Sequence, residues 1–157
     1  MNSVTRVRRI ASLVFIAAVL AVSESAAKAD SSQVAQIKTV SGQAEIVRNG
    51  ARRSARVGDP LYEKDTIETG ADGAIGITFI DNTVMSGGPN SQIVLEDYKF
   101  NSSNFKGSML TDMNRGTVSM ISGDIARSTP GAMKVKTPTA ILGVRGTRFV
   151  IEVKDNR

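Results

Sequence analysis

Arg145 stands between Gly143 and Gly146, and a guanidinium at such a corner could grip a carboxylate or phosphate through two parallel hydrogen bonds. The structural alternative is favoured: Arg145 would tie the corner together, since glycines ahead of a strand serve backbone geometry first. Arg48, Arg52, Arg53 and Arg56 form the only basic cluster, placed on an expected turn. They could contact an anionic polymer or lipid headgroups, although a solvated hairpin tip is the favoured reading. Asp59, Asp65, Asp72 and Asp81 are acids in turns. Their spacing does not follow a helix-loop-helix calcium loop, and turn aspartates ordinarily accept from their own backbone. Glu96 and Asp97 could suggest a catalytic pair, but neighbours on a strand point to opposite faces. Gly87-Gly88-Pro89-Asn90-Ser91 lacks the lysine and helix of a phosphate cradle and reads as a turn.

The composition removes most other chemistry. There is no histidine and no cysteine, so imidazole bases, serine triads, thiol nucleophiles, disulfides and the usual zinc sites have no material. Five Phe, two Tyr and no Trp leave little for a stacking platform. The chain is therefore expected to be no enzyme and to hold no cofactor or metal, with carboxylate-dependent glycan hydrolysis as the least favoured alternative.

The elements that must position these residues are strands. From Thr147 the alternation puts Thr147, Phe149, Ile151 and Val153 on an apolar side and Arg148, Val150, Glu152 and Lys154 on the other. Thr137-Pro138 favours a turn before it, and Gly143 and Gly146 are placed where positive φ or close backbone approach is tolerated. Upstream, Ser41-Gly42 reads as a bend and Asn49-Gly50 as a hairpin turn. The run 92–100 switches its apolar face partway, which calls for a bulge near Glu96. Residues 108–113 are ambiguous, and strand is expected to resume at Gly116. No 3.6-residue period persists, and turn signals every 8 to 12 residues predict an all-β domain of about ten short strands, in a stacked roll of solenoid-like or sandwich form.

Residues 1–29 differ from the rest. Arg6, Arg8 and Arg9 precede the apolar run from Ile10 to Val22, and Ala27-Lys28-Ala29 supplies an A-x-A site. This predicts a secretory signal peptide cut before Asp30, with an uncleaved anchor as the alternative. The run is shorter than the about 20 residues of a spanning helix, so no stable membrane anchor is expected after cleavage. Residues 30–36 are expected to be a flexible lead and residues 37–157 the folded domain. The formal net charge of +5 falls to +2 once the leader is gone, because it takes four cations and one acid with it. Nucleic acid is therefore not an expected partner.

Gly58-Asp59 with Leu61, Asp65-Thr-Ile-Glu-Thr-Gly70, Gly73-Ala-Ile-Gly-Ile-Thr-Phe79, Asp81-Asn-Thr83, Gly88-Pro-Asn-Ser91, Thr137-Pro-Thr-Ala140 and Val144-Arg-Gly-Thr-Arg-Phe149 occur in one order. Together they resemble the FecR-like domain, over roughly residues 38–153. The resemblance implies a periplasmic or secreted bacterial β module. Its members include anti-sigma regulators that relay a signal from an outer-membrane iron-siderophore receptor. Only nine residues precede the apolar run, which leaves no room there for a cytoplasmic sigma-binding region. The expectation is a non-enzymatic interaction module for an envelope protein or polymer; the alternative is a periplasmic component regulating a transmembrane signalling partner. Thr137, Pro138, Gly143, Arg145, Gly146, Thr147 and Phe149 are its structural signature; Arg48, Arg52, Arg53 and Arg56 are its possible anionic-partner patch.

Overall fold

The computed structural model describes residues 32–146 and 148–154; the expected signal peptide and Thr147 lie outside the described residues. The elements run β1(Gln33–Ser41), β2(Ala44–Arg48), β3(Ala51–Ser54), β4(Pro60–Tyr62), β5(Thr66–Thr69), β6(Ala74–Phe79), β7(Val84–Gly87), β8(Gln92–Asn101), β9(Lys106–Ile121), α1(Asp124–Ser128), β10(Met133–Lys136), β11(Ile141–Val144) and β12(Arg148–Val153). The fold is all-β, as the turn spacing predicts. Twelve strands form one curled sheet, a half-barrel. All pairings are antiparallel except β9 with β10.

β9 organises the sheet. At 16 residues it is far longer than its neighbours. It pairs with β8 and β10 ahead of Gly116 and with β7 and β12 from Gly116 onward. Gly116 lies between the two halves with φ +94°, and a Cβ there would collide with Ser91. That glycine is a bend within a strand, where the sequence suggested a strand start. Apolar residues at alternate positions then point to one interior. Ile37, Ile46, Ile67, Ile77, Met85, Ile93 and Met113 are all fully buried in a single core. β1 begins at Gln33, with Val34 and Ala35 buried, so the ordered domain starts ahead of the expected boundary at 37.

Local turn chemistry explains the connections. Asn49 and Gly50 both have positive φ, 51° and 80°, as a two-residue hairpin matched to strand twist requires. Asn82 adopts φ 64° in the β6–β7 turn. The β8–β9 register shifts between Leu95 and Asp97, at the bulge expected from the face switch. The five-residue α1 was not foreseen, being too short to show a helical period.

A candidate interaction surface at the β11–β12 corner

The four arginines of the basic cluster come together around the β2–β3 hairpin, but three are engaged by carboxylates. Arg48 makes a two-pronged pair with Asp65, Nε to Oδ1 at 2.7 Å and Nη2 to Oδ2 at 2.8 Å. Its guanidinium also lies 4.3 Å from the centre of the Tyr62 ring. Arg52 bridges Glu45 and Glu68, and Arg53 pairs with Asp59 at 2.6 Å. These bonds hold the Arg48 and Arg52 guanidiniums more firmly protonated than usual; for Arg48, burial opposes the effect of its Asp65 hydrogen bond. Of these four, only the Arg56 guanidinium lacks a hydrogen bond or ion pair with a described residue. The patch is a mixed-charge lattice, and little positive charge is left for a polyanion.

The turn aspartates serve the backbone, as their sequence context suggests. Asp59 accepts from the Arg56 amide at 2.9 Å, Asp65 from the Tyr62 amide at 2.9 Å, and Asp72 from the Gln43 amide at 3.3 Å. Burial works against ionisation of Asp59, yet bonds from Arg53 and the Arg56 amide hold its carboxyl below the usual range. Asp81 is fully buried and accepts from the Thr83 amide and hydroxyl, the Ile125 amide and the Tyr98 hydroxyl. It ties the β6–β7 turn to α1. Burial and then the Asp81 charge push the Tyr98 phenol far above its ordinary value, so it stays a neutral donor. Glu96 and Asp97 diverge: Glu96 pairs with Lys64, while Asp97 takes the Ser108 hydroxyl and lies near Lys99.

The stretch 137–153 divides between scaffold and surface. Thr137 is buried and closes a tight turn, its hydroxyl accepting from the Ala140 amide at 3.1 Å; Pro138 is exposed on that turn. Gly146 has φ +47°, as expected of the corner. Gly143 differs from expectation: it has neither positive φ nor any atom near its Cβ position, because it lies on the solvent face of β11 opposite Lys134. Arg145 is exposed and forms no hydrogen bond or ion pair with a described residue, so it does not tie the corner to any of them. Phe149, Ile151 and Val153 alternate inward from β12, each only half-buried.

Two properties therefore gather at this corner. Ile141 and Val150 are each 65 % exposed and Leu142 is 42 % exposed. On the outward face Val84, Ile121 and Arg148 form one cross-strand row. Lys134, Arg145 and Arg148, on β10, after β11 and on β12, are exposed and have no ion pair with a described residue, whereas Lys136 is held by Asp112 at 2.7 Å. A groove of about 530 Å³ runs between β11 and β12, with Leu142, Ile151 and Val153 among its lining residues.

Sequence reasoning missed Arg115. It is half-buried, makes no hydrogen bond or ion pair with a described residue, and lines two further grooves, one of them shared with Glu152 and Lys154. Nothing local marked it, because its position follows from the bend at Gly116.

The family model for FecR protein matches residues 65–157, more than half of the sequence. The chain belongs to the FecR family. The match takes in the corner and its strands but leaves β1–β4 and the arginines of the β2–β3 hairpin outside. No match is found among curated proteins or solved structures. FecR domains are typically associated with the bacterial envelope and with regulation, and no helix among the described residues is long and apolar enough to cross a membrane.

Proposed function

We propose that this FecR domain is exported, is not an enzyme, and works by binding a partner protein of the envelope through the β11–β12 corner. One observation carries the reading. Cations without an ion pair to a described residue and exposed apolar side chains both occur on the corner, which the family match includes, while Arg48, Arg52, Arg53 and the turn aspartates are engaged in structural pairs. Membership of a regulatory family adds to it, since regulation requires a contact surface and no reaction. It also supports a role in signal transduction with a transmembrane partner, and the identity of the bound protein separates that role from a purely structural one.

The test is photo-crosslinking in intact cells from a reactive residue at Leu142 or Arg148, with Arg56 as the control position and mass spectrometry of the adducts. The expected result is a discrete protein adduct from the corner and none from Arg56. Recovery of a membrane regulator or outer-membrane receptor would favour signalling. Adducts from Arg56 alone, or only heterogeneous polymer adducts, would overturn the reading.

A further inference from the structure

The outermost strands of the sheet among the described residues are β3, β4, β11 and β12. Natural edges are blunted by charge, proline, shortness or bulges, because unpaired N–H and C=O groups recruit other strands. β3 carries Arg52 and Arg53; β4 is three residues long and starts at Pro60; β12 carries Arg148 and Glu152. β11 reads Ile141-Leu142-Gly143-Val144, with no charge, no proline and an unbroken register against β10. Its four residues leave shortness as its only guard.

The surroundings of β11 say what it would accept. Leu142 lies on the same side of the strand as buried Val144 and opens onto the groove that Ile151 and Val153 also line, so the core reaches the surface beside the edge. The described residues from Met133 onward carry five basic side chains, of which Lys136 is paired with Asp112, and one acidic side chain, Glu152, which lines the groove with Lys154. A second copy of this chain would set one cationic rim against another, so charge complementarity selects a foreign acidic segment.

Building on the proposed binding role, we infer that β11 is a docking edge for an extended peptide segment of a partner protein, one that alternates apolar side chains with carboxylates. The segment adds as a strand to β11, its apolar side chains enter the groove beside Leu142, and its carboxylates face Lys134, Arg145 and Arg148. Four residues of β11 span only about 13 Å. Backbone pairing alone is thus a weak hold, and groove and charge supply selectivity.

The test uses the purified protein and three fluorescein-labelled eight-residue peptides: alternating valine and glutamate, alternating valine and lysine, and all-glutamate. Anisotropy reads binding, and amide hydrogen exchange reads strand addition. The valine-glutamate peptide is expected to bind best and to slow exchange across residues 141–144. Leu142→Asp, and separately the pair Arg145→Glu with Arg148→Glu, should each weaken it by about tenfold or more while the thermal melt is retained; Arg52→Ala should leave it unchanged. Equal binding of the all-glutamate peptide without protection of β11 would reduce the site to a charge effect and overturn the strand mode. No binding, preference for the lysine peptide, or dimerisation through β11 would overturn it as well. If the peptides fail while Leu142 still captures a protein in cells, the docking mode falls and the binding role stands; if both fail, both fall.

Discussion

Arg48→Ala separates a structural clamp from a binding patch. Asp65 has no solvent exposure, and its carboxylate is met by two Arg48 nitrogens at 2.7 and 2.8 Å and by the Tyr62 amide at 2.9 Å. Truncating Arg48 leaves that carboxylate with the amide alone. Breaking a buried pair by removing one partner costs about 3–5 kcal/mol. The Arg48 side chain is 36 % exposed, so water screens part of the pair and fills part of the space; the lower figure of about 2–3 kcal/mol is expected. Loss of stacking on Tyr62 is included in it. For a domain of this size the melting temperature should fall by about 10 °C. Arg56→Ala, which removes no ion pair, should stay within about 0.5 kcal/mol. Circular-dichroism melts and urea titrations of the two variants decide. If they melt together, the Arg48–Asp65 clamp does not hold the domain and the dissection of the arginine cluster is wrong.

Other outcomes follow from single contacts. Thr111 buries a hydroxyl that lacks a hydrogen-bond partner among the described residues, so Thr111→Val should stabilise by about 1 kcal/mol in urea titration. Glu68 is held below the usual carboxylate range by its Arg52 bond, with burial opposing and Gln92 assisting. Asp59 is depressed too, so the unfolded chain binds more protons in acid, and stability present at neutral pH should be lost as pH falls below about 4. Melts against pH would show this, and Glu68→Gln should flatten the acid limb. Gly116→Val meets Ser91 and a φ of +94°, whereas Gly146→Val meets open space at φ +47°. The first should abolish folding and the second only lower the melting temperature, as soluble yield and melts would report.

What was legible in the sequence was local. The alternation of β12, the Asn49-Gly50 hairpin, the bulge at Glu96 and the backbone bonds of Asp59 and Asp65 all depend on residues a few positions apart. The long-range parts were hidden. Residues 108–113 lack a clear alternation because β9 changes partners along its length, and Gly116 looked like a beginning when it is a bend. Arg48 and Arg52 find Asp65 and Glu68 across 17 and 16 positions, so a string of arginines looked like free charge when most of it is paired. The corner was legible in outline. Its glycines were read as equivalent, but only Gly146 adopts positive φ, and the uncharged edge of β11 emerges only when all the pairings are known.

The most direct test of a contact surface at the corner is photo-crosslinking from Leu142 in intact cells, compared with the same probe at Arg56. A discrete protein adduct at Leu142 and none at Arg56 is the expected result. Capture from Arg56 with silence at Leu142 would move the binding surface to the hairpin and contradict the assignment of the corner.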